Sequence, residues 1–231
     1  ADTDPELLRR CAAEFPLPGV VQVYGQTEAS TLISLADCAA PERFDTCGPP
    51  LPGAEVQITD PKTGGLLPAG EIGQIETRGP MVMRGYYGNS EATAETIGND
   101  GWMRTGDLGY LTPEGNIVVA GGRLRDMIIR GGENIYPVEI ENMLRNHPAV
   151  SDIAVFAVPD HYYGEIVGAA LSMGTAATAE ELRGYCDGRI ARFKVPARFY
   201  RVDEFPLTAS GKIRKTELRD MAAAGTLTPL E

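Results

Sequence analysis

Residues 121–141, GGRLRDMIIRGGENIYPVEIE, mark the point at which the character of the chain changes. Upstream lie short strand-like runs separated by glycine and proline, whereas this stretch is rich in glycine and alternating charge. Near its end, Pro137 suits a first helical position, and Ile140 and Leu144 follow at helical spacing. We therefore predict a domain boundary at 121–126 and a helix that begins the second domain.

The residues after this helix predict a compact α+β domain. SDIAVFAVPD and EIVGAALSM, at 151–160 and 165–173, are strand-like runs. Thr178 and Glu181 form a T-x-x-E capping-box pattern before a second helix. A third strand is predicted at about 198–202, which gives a three-stranded sheet with helices packed against it.

Between about residues 47 and 120 the pattern indicates β-structure. AEVQITD, at 54–60, alternates and ends in a glycine-containing turn, and GEIGQIETRG and GNIVVAGG are further short strands. Several such strands predict a small antiparallel barrel or sheet. The segment 83–97 lies between them, and we interpret its Arg84 and Tyr86 as packing residues.

The first residues predict a helix followed by a strand. Asp4 and Pro5 suit the start of a helix over 4–15, and a break at Pro16–Gly19 leads into GVVQVYG, a run typical of a buried strand. A helix followed by such a strand favours a parallel α/β layer. One helix and one strand cannot complete that layer, so we expect the end of a larger domain.

The predicted fold class is therefore mixed, α/β and α+β. Residues 1–122 form the end of a large α/β domain with a small β-barrel subdomain at about 47–120. Residues 123–231 form a compact α+β C-terminal domain.

Composition argues against several classes of protein. With 21 basic and 32 acidic residues the formal net charge is −11, which argues against nucleic-acid binding. No apolar run approaches the length of a membrane span, and no signal-peptide pattern is present. Two histidines argue against a histidine-rich metal cluster. Four cysteines without a CxxC motif predict reduced thiols in a cytoplasmic protein: Cys11, Cys38, Cys47 and Cys186.

Polar stretches carry the candidate chemistry. YGQTEAS, at 24–30, follows the first predicted strand, and ligands of open α/β sheets bind beyond strand ends. RTGDLGY, at 104–110, places a carboxylate after a glycine turn, where it can accept hydrogen bonds from a ribose. PLTASGKIRKTELR, at 206–219, presents Lys212 on a glycine-containing loop before a helix-like segment, and its ammonium suits an anion.

Together with 121–141, these stretches resemble the C-terminal half of the adenylate-forming, or AMP-binding, superfamily. That superfamily includes acyl- and aryl-CoA ligases, adenylation domains of peptide synthetases and beetle luciferases. The similarity runs from about residue 5 to about residue 220, and GGENIYPVEIE is most similar to acyl-CoA ligases. The family's phosphate-binding loop lies upstream of YGQTE and is absent from these residues, so we expect about half an enzyme, inactive alone.

The resemblance implies a nucleotide-binding role for the YGQTE stretch. It places Tyr24, followed by Gly25, against adenine and Thr27 on the α-phosphate of ATP. It also makes Glu28 a ligand of Mg²⁺, which prefers oxygen ligands and commonly takes one or two protein carboxylates together with phosphates.

Further roles follow from the same resemblance. Asp107 accepts hydrogen bonds from the ribose hydroxyls, and Arg123 also reaches the ribose. Arg125 stands at the hinge position, where the family usually has Asp or Lys, so its interactions differ from the family pattern. Lys212 is the catalytic lysine of adenylation.

Gly131, Gly132 and Glu133 match a loop that, in CoA ligases of the family, lines the tunnel for the pantetheine arm. The implied reaction consumes ATP with Mg²⁺, converts a small carboxylic acid to an acyl adenylate and then transfers the acyl group to CoA. Two other functions stay open: loading the phosphopantetheine thiol of a carrier protein, and a non-catalytic fragment used for interaction. The residues leave open which acid is used and whether the protein is a homo-oligomer.

Overall fold

The structure is a computed structural model, and it describes residues 5–15, 20–36, 44–209 and 211–231. The predicted positions Asp4, Pro16–Gly19 and Cys38 lie outside the described residues. Within the described part of the chain, no helix is long and apolar enough to cross a membrane.

The chain divides into two compact units. Unit one is Ala1–Leu124 and unit two is Arg125–Glu231. The two domains predicted from the sequence, 1–122 and 123–231, are expected to move independently. That division into mobile domains stays a prediction.

Unit one begins with the predicted helix, α1, at Pro5–Glu14. The strand after it, β1, has only two residues, Val23–Tyr24, and it pairs antiparallel with β2 at Ser34–Leu35. In this strand Tyr24 is buried and Val23 is 50% exposed, and the pairing is antiparallel, so the described residues do not form a parallel layer by themselves. The loop 25–33, which contains a 3₁₀ turn, returns the chain so that β1 pairs with the next strand in sequence.

The predicted β-region of unit one is confirmed as a four-stranded antiparallel sheet that curls like a half-barrel. Alternate residues of its strands, among them Ile58, Ile75 and Ile117, are buried in one apolar cluster. A short helix, α2, begins after Asn89, whose side chain accepts a hydrogen bond from the backbone N–H of Ala92. The elements are β3 (Glu55–Thr59), β4 (Gly73–Arg78), α2 (Ser90–Thr96), β5 (Met103–Leu111) and β6 (Ile117–Arg123).

The RTGDLGY stretch lies inside strand β5, so the predicted turn is wrong. Its Gly106 nevertheless has the positive φ of 71° that such a turn would need. The pairing register with β6 shifts between Asp107 and Gly109. This bulge bends the strand locally and re-aims the side chain of Asp107, as β-bulges commonly do.

Unit two contains the predicted strands β9, β10 and β11 within a larger sheet. β9 and β10 form an antiparallel hairpin, and β11 lies parallel to β10. The predicted three-stranded sheet was too small, because three strands of two or three residues are too short to show a periodic pattern. The elements are β7 (Ile128–Arg130), β8 (Glu133–Ile135), α3 (Pro137–Arg145), β9 (Val150–Asp160), β10 (Gly164–Met173), α4 (Ala179–Cys186), β11 (Arg198–Arg201), α5 (Lys215–Ala223) and β12 (Thr228–Pro229).

Both faces of the β9–β10 hairpin are covered, which explains its continuous apolar sequence. Val155 faces a cluster with Ile140 of α3 and Leu182 of α4. The next residue, Phe156, faces a second cluster with Leu218 of α5. Two predictions are confirmed here: α3 begins at Pro137, and the capping box of Thr178 and Glu181 opens α4.

Candidate functional site

The first cluster of predicted site residues lies on unit one, where Tyr24, Asp107 and Arg123 meet. The hydroxyl of Tyr24 donates a hydrogen bond of 3.0 Å to Oδ2 of Asp107. Nε of Arg123 lies 2.9 Å from Oδ1 of the same carboxylate. Asp107 and Arg123 are also Cα partners across β5 and β6. The fold therefore brings residues that are distant in sequence onto one carboxylate.

Tyr24 and Arg123 orient the carboxylate of Asp107, but they do not use all of its capacity to accept hydrogen bonds. Burial first, and then the negative charge of Asp107, raise the pKa of Tyr24. The phenol thus stays protonated and remains a hydrogen-bond donor at neutral pH. Since a carboxylate has about four lone-pair sites, Asp107 can accept further hydrogen bonds. The cluster can therefore receive a ligand with two neighbouring hydroxyls.

Gly25 is required by the close return of the chain after Tyr24. A β-carbon at this position would lie 1.9 Å from the carbonyl oxygen of Thr31. The return also places Ser30 and Thr31 at φ values of 49° and 79°, a region that residues other than glycine rarely occupy. The loop therefore has a tight backbone conformation that contacts with the surrounding structure must stabilise.

Thr27 and Glu28 belong to a 3₁₀ turn, Thr27–Ala29, within this loop. Ala29 is fully buried and anchors the turn, while the side chain of Thr27 is exposed. The carboxylate of Glu28 is half-buried, and its Oε1 accepts a hydrogen bond of 2.9 Å from the hydroxyl of Tyr86. The turn thus offers one hydroxyl and one oriented carboxylate.

The interpretation of Tyr86 as a packing residue stays a prediction; the residue is 38% exposed, and its hydroxyl donates a hydrogen bond to Glu28. Arg84 is exposed as well. The sequence gives no signal that separates Tyr86 from the next residue, Tyr87, which is fully exposed. Only the folding of 81–86 against the Glu28 turn distinguishes the two tyrosines.

The side chains around Glu28 suit a cation only if a second molecule supplies further ligand atoms. Among the described residues, no group of three His, Cys, Asp or Glu side chains could hold a metal ion. A single carboxylate that binds a metal together with phosphate oxygens is the arrangement Mg²⁺ usually adopts with nucleotides. Glu28 therefore fits Mg²⁺ that arrives with a nucleotide.

Unit two carries Lys212 on a tight loop. The N–H of Thr208 donates to the carbonyl of Lys212 at 2.7 Å, and the N–H of Lys212 donates back to Oγ1 of Thr208 at 3.1 Å. Gly211 supplies the positive φ of 79° that closes the loop. The side chain of Lys212 is exposed, and the described residues provide no ion pair for it. Its charge is therefore available to an anion.

Arg125 opens unit two within a 3₁₀ turn, Leu124–Asp126. Its side chain is 78% exposed, and Nε lies 3.8 Å from Oδ1 of Asp126. It also lines a cavity of about 130 Å³ whose wall includes the start of α5, the helix that follows the Lys212 loop. The predicted hinge residue and the Lys212 loop are thus linked through α5 within one unit.

Gly131 and Gly132 form the two-residue turn of the β7–β8 hairpin. Both have positive φ, 58° and 94°, which is the signature of a type I′ turn. A β-carbon on Gly132 would meet nothing within 4 Å, so backbone conformation is the reason for this glycine. Glu133 follows the turn and is exposed. Whether the turn lines a tunnel stays a prediction.

Comparison with known proteins identifies the family to which this chain belongs. The family model described as AMP-binding enzyme matches residues 1–87, and the model described as AMP-binding enzyme C-terminal domain matches residues 139–212. The chain belongs to this adenylate-forming superfamily, and it corresponds to the C-terminal part of its members.

Two curated relatives and one solved structure illustrate the similarity. The mitochondrial medium-chain acyl-CoA ligase of Bos taurus is 39% identical over 94% of this chain and 36% of its own length. The 2-succinylbenzoate–CoA ligase of Bacillus subtilis is 39% identical over 93% of this chain and 43% of its own length. The solved O-succinylbenzoate Coenzyme A synthetase of Bacillus subtilis, in complex with ATP and magnesium ion, is 37% identical, with a TM-score of 0.83, over 94% of this chain and 44% of that chain. The chain thus spans less than half of each of these proteins.

Proposed function

We propose that this chain is the C-terminal part of an ATP-dependent carboxylic acid–CoA ligase that forms AMP. The ligase would first make an acyl adenylate and then transfer the acyl group to the thiol of CoA. The observation that carries the proposal is the carboxylate of Asp107, oriented by Tyr24 and Arg123. The names of the relatives, which are CoA ligases for a medium-chain acid and for 2-succinylbenzoate, support the same reaction.

On unit one, we assign each candidate residue a role in binding the nucleotide. Asp107 would accept the two ribose hydroxyls of ATP, with Arg123 beside it, and Tyr24 would lie against the adenine. Thr27, exposed on its 3₁₀ turn, would donate to the α-phosphate. Glu28 would hold Mg²⁺, which neutralises negative charge on the phosphates as the carboxylate attacks.

On unit two, Lys212 would supply a second positive charge to the same step. Two anions meet when a carboxylate attacks a phosphate, and an aimed cation stabilises the charge that develops. An exposed lysine on a short, hydrogen-bonded loop can be brought to a ligand by movement of the whole unit. A hinge at Arg125 would provide that movement, since a few residues at the end of an element can absorb it.

We also infer that the second substrate is CoA. The similarity to CoA ligases supports CoA over a carrier protein, and the small turn at Gly131–Gly132 leaves little side-chain bulk beside a thiol path. The carboxylic acid is not specified by this part of the protein. The cytoplasmic location stays a prediction, because the Bos taurus relative is mitochondrial.

A chimera provides the test. This chain replaces the matched C-terminal part of the Bacillus subtilis 2-succinylbenzoate–CoA ligase, and ATP–pyrophosphate exchange is measured with 2-succinylbenzoate. We expect exchange that Asp107→Ala abolishes, followed by thioester formation with CoA and not with a holo-carrier protein. In parallel, AMP is titrated into the 231-residue chain, and the amide resonances of Tyr24, Asp107 and Arg123 are followed by NMR. A folded chimera without exchange, together with no AMP-dependent shift at these residues, would overturn the proposal.

A further inference from the structure

The Glu28 turn is held by the segment 81–86 through three separate hydrogen bonds. The hydroxyl of Tyr86 donates to Oε1 of Glu28 at 2.9 Å. The N–H of Met83 donates to the carbonyl oxygen of Glu28 at 2.8 Å. The hydroxyl of Ser30 donates to the carbonyl oxygen of Met81 at 2.8 Å. Both the backbone and the side chain of Glu28 are therefore fixed by one neighbouring segment.

This fixation is needed because the backbone beside Glu28 is strained. Ser30 and Thr31 both have positive φ, and such conformations persist only where the surrounding structure enforces them. The two backbone-directed bonds, to Glu28 and from Ser30, enforce the course of the chain. They do not determine how the carboxylate of Glu28 is rotated.

The hydroxyl of Tyr86 is the group that acts on the carboxylate itself. Among the described side chains it is the donor that contacts Glu28, and it occupies Oε1. One occupied oxygen limits rotation of the carboxylate and leaves Oε2 for another partner.

We propose that Tyr86 is a positioning residue that orients the carboxylate of Glu28 toward a magnesium–nucleotide complex. The proposal rests on the proposed function, which assigns Glu28 to Mg²⁺. Carboxylates that bind metals are usually hydrogen-bonded in turn, and loss of such a partner typically lowers metal affinity or activity about 10–100-fold. Tyr86 would act through Glu28 and would not touch the metal or the substrate.

The chain offers a matched pair of variants. Tyr86→Phe removes the hydroxyl and keeps the ring. Tyr87→Phe makes the same change at the next residue, whose side chain is fully exposed. Glu28→Gln keeps the size of the acceptor and removes its charge. Fluorescence of Trp102 reports whether unit one remains folded in each variant.

The measurement is a Mn²⁺ titration of the 231-residue chain at millimolar concentration of a non-hydrolysable ATP analogue. Paramagnetic broadening of the amide resonances of residues 26–31 reports occupancy near Glu28, independently of activity. We expect Tyr86→Phe to need about ten times more Mn²⁺ than the natural chain. Tyr87→Phe should match the natural chain, and Glu28→Gln should abolish the nucleotide-dependent broadening.

The outcomes separate this inference from the function on which it rests. If the natural chain shows nucleotide-dependent broadening and Tyr86→Phe shows the same midpoint, the positioning role is overturned and the proposed function stands. If Tyr86→Phe and Tyr87→Phe weaken binding equally, the effect is general and the role is again overturned. If the natural chain shows no broadening that depends on nucleotide, the assignment of Glu28 to the metal and the positioning role of Tyr86 are both overturned, while the ligase function is decided by the chimera.

Discussion

The ion pair between Glu141 and Lys215 gives the most quantitative prediction for unit two. Nζ of Lys215 lies 2.6 Å from Oε1 of Glu141, and the two side chains are 19% and 10% exposed. The same carboxylate oxygen accepts a hydrogen bond of 2.7 Å from the N–H of Val155. Glu141 therefore joins α3, β9 and the first residue of α5, the helix that follows the Lys212 loop.

The strength of this pair can be estimated from its geometry. At an effective dielectric constant of about 20, two charges at this separation attract by about 6 kcal/mol. Desolvation of the two groups offsets several kcal/mol of that attraction. Loss of one partner of a buried pair costs about 3–5 kcal/mol, and the remaining access of Lys215 to water lowers this to about 2–3 kcal/mol.

A double-mutant cycle isolates the pair. Glu141→Gln should cost about 2–3 kcal/mol, because the amide oxygen can still accept from Val155 while the charge is lost. Lys215→Met should cost a similar amount, and the double variant should cost about 2 kcal/mol less than the sum. Glu141→Ala should be worse than Glu141→Gln by about 1–3 kcal/mol, because the N–H of Val155 is then left without its acceptor.

Urea unfolding followed by far-UV circular dichroism measures these changes, and amide exchange in β9 and β10 assigns them to unit two. The exposed pair Arg214–Glu217 is the control, since its side chains are 54% and 48% exposed. Its coupling energy should be at most about 0.5 kcal/mol. Additive effects of Glu141→Gln and Lys215→Met, within about 0.5 kcal/mol, would refute the reasoning.

Three further predictions concern the candidate site. In the chimeric ligase, Lys212→Ala should lower adenylate formation by at least about 10²-fold and largely spare thioester formation from supplied adenylate; equal losses in rapid-quench assays of both steps would make Lys212 structural. Arg125→Pro fixes φ at the predicted hinge and should slow one half-reaction much more than the other, and unchanged rates in both would refute the hinge. Because the pKa of Tyr24 is raised, unfolded tyrosine loses its proton first, so unit one should lose stability as pH rises above about 10. Trp102 fluorescence in unfolding experiments measures this loss, and Tyr24→Phe should reduce it; an identical pH profile would contradict the assignment.

Whether a helix or strand of this fold could be predicted from the sequence depends on its length. Strands β9 and β10 and helix α3 are long and strongly patterned, and each of these elements was predicted, although the pairing of the two strands as a hairpin was not. β7 and β12 have three and two residues, and no periodic pattern can appear in so few positions. The Gly131–Gly132 pair between IIR and ENI is a hairpin signal in hindsight, since two glycines suit a type I′ turn.

The candidate site shows the same division between local and distant information. The structure explains Gly25 by the close approach of the Thr31 carbonyl, and it explains Gly106 by its positive φ. Both glycines are visible in the sequence. The bond between Tyr86 and Glu28 was not predictable, because nothing local distinguishes Tyr86 from Tyr87. It depends on how the chain at 81–86 folds back on a loop formed by much earlier residues.

The placement of Asp107 shows why a strand can serve better than the turn that was predicted. A turn would leave the carboxylate on a flexible tip, where ordering it on binding carries an entropic cost. In β5, Asp107 is paired with Arg123 of β6, and the next residue, Leu108, is paired with Gln74 of β4. The bulge next to Asp107 re-aims the carboxylate without releasing the strand, and Arg123 reaches it from the paired position on β6. The acceptor is therefore oriented before any ligand arrives, which is the property that the proposed ribose contact would require.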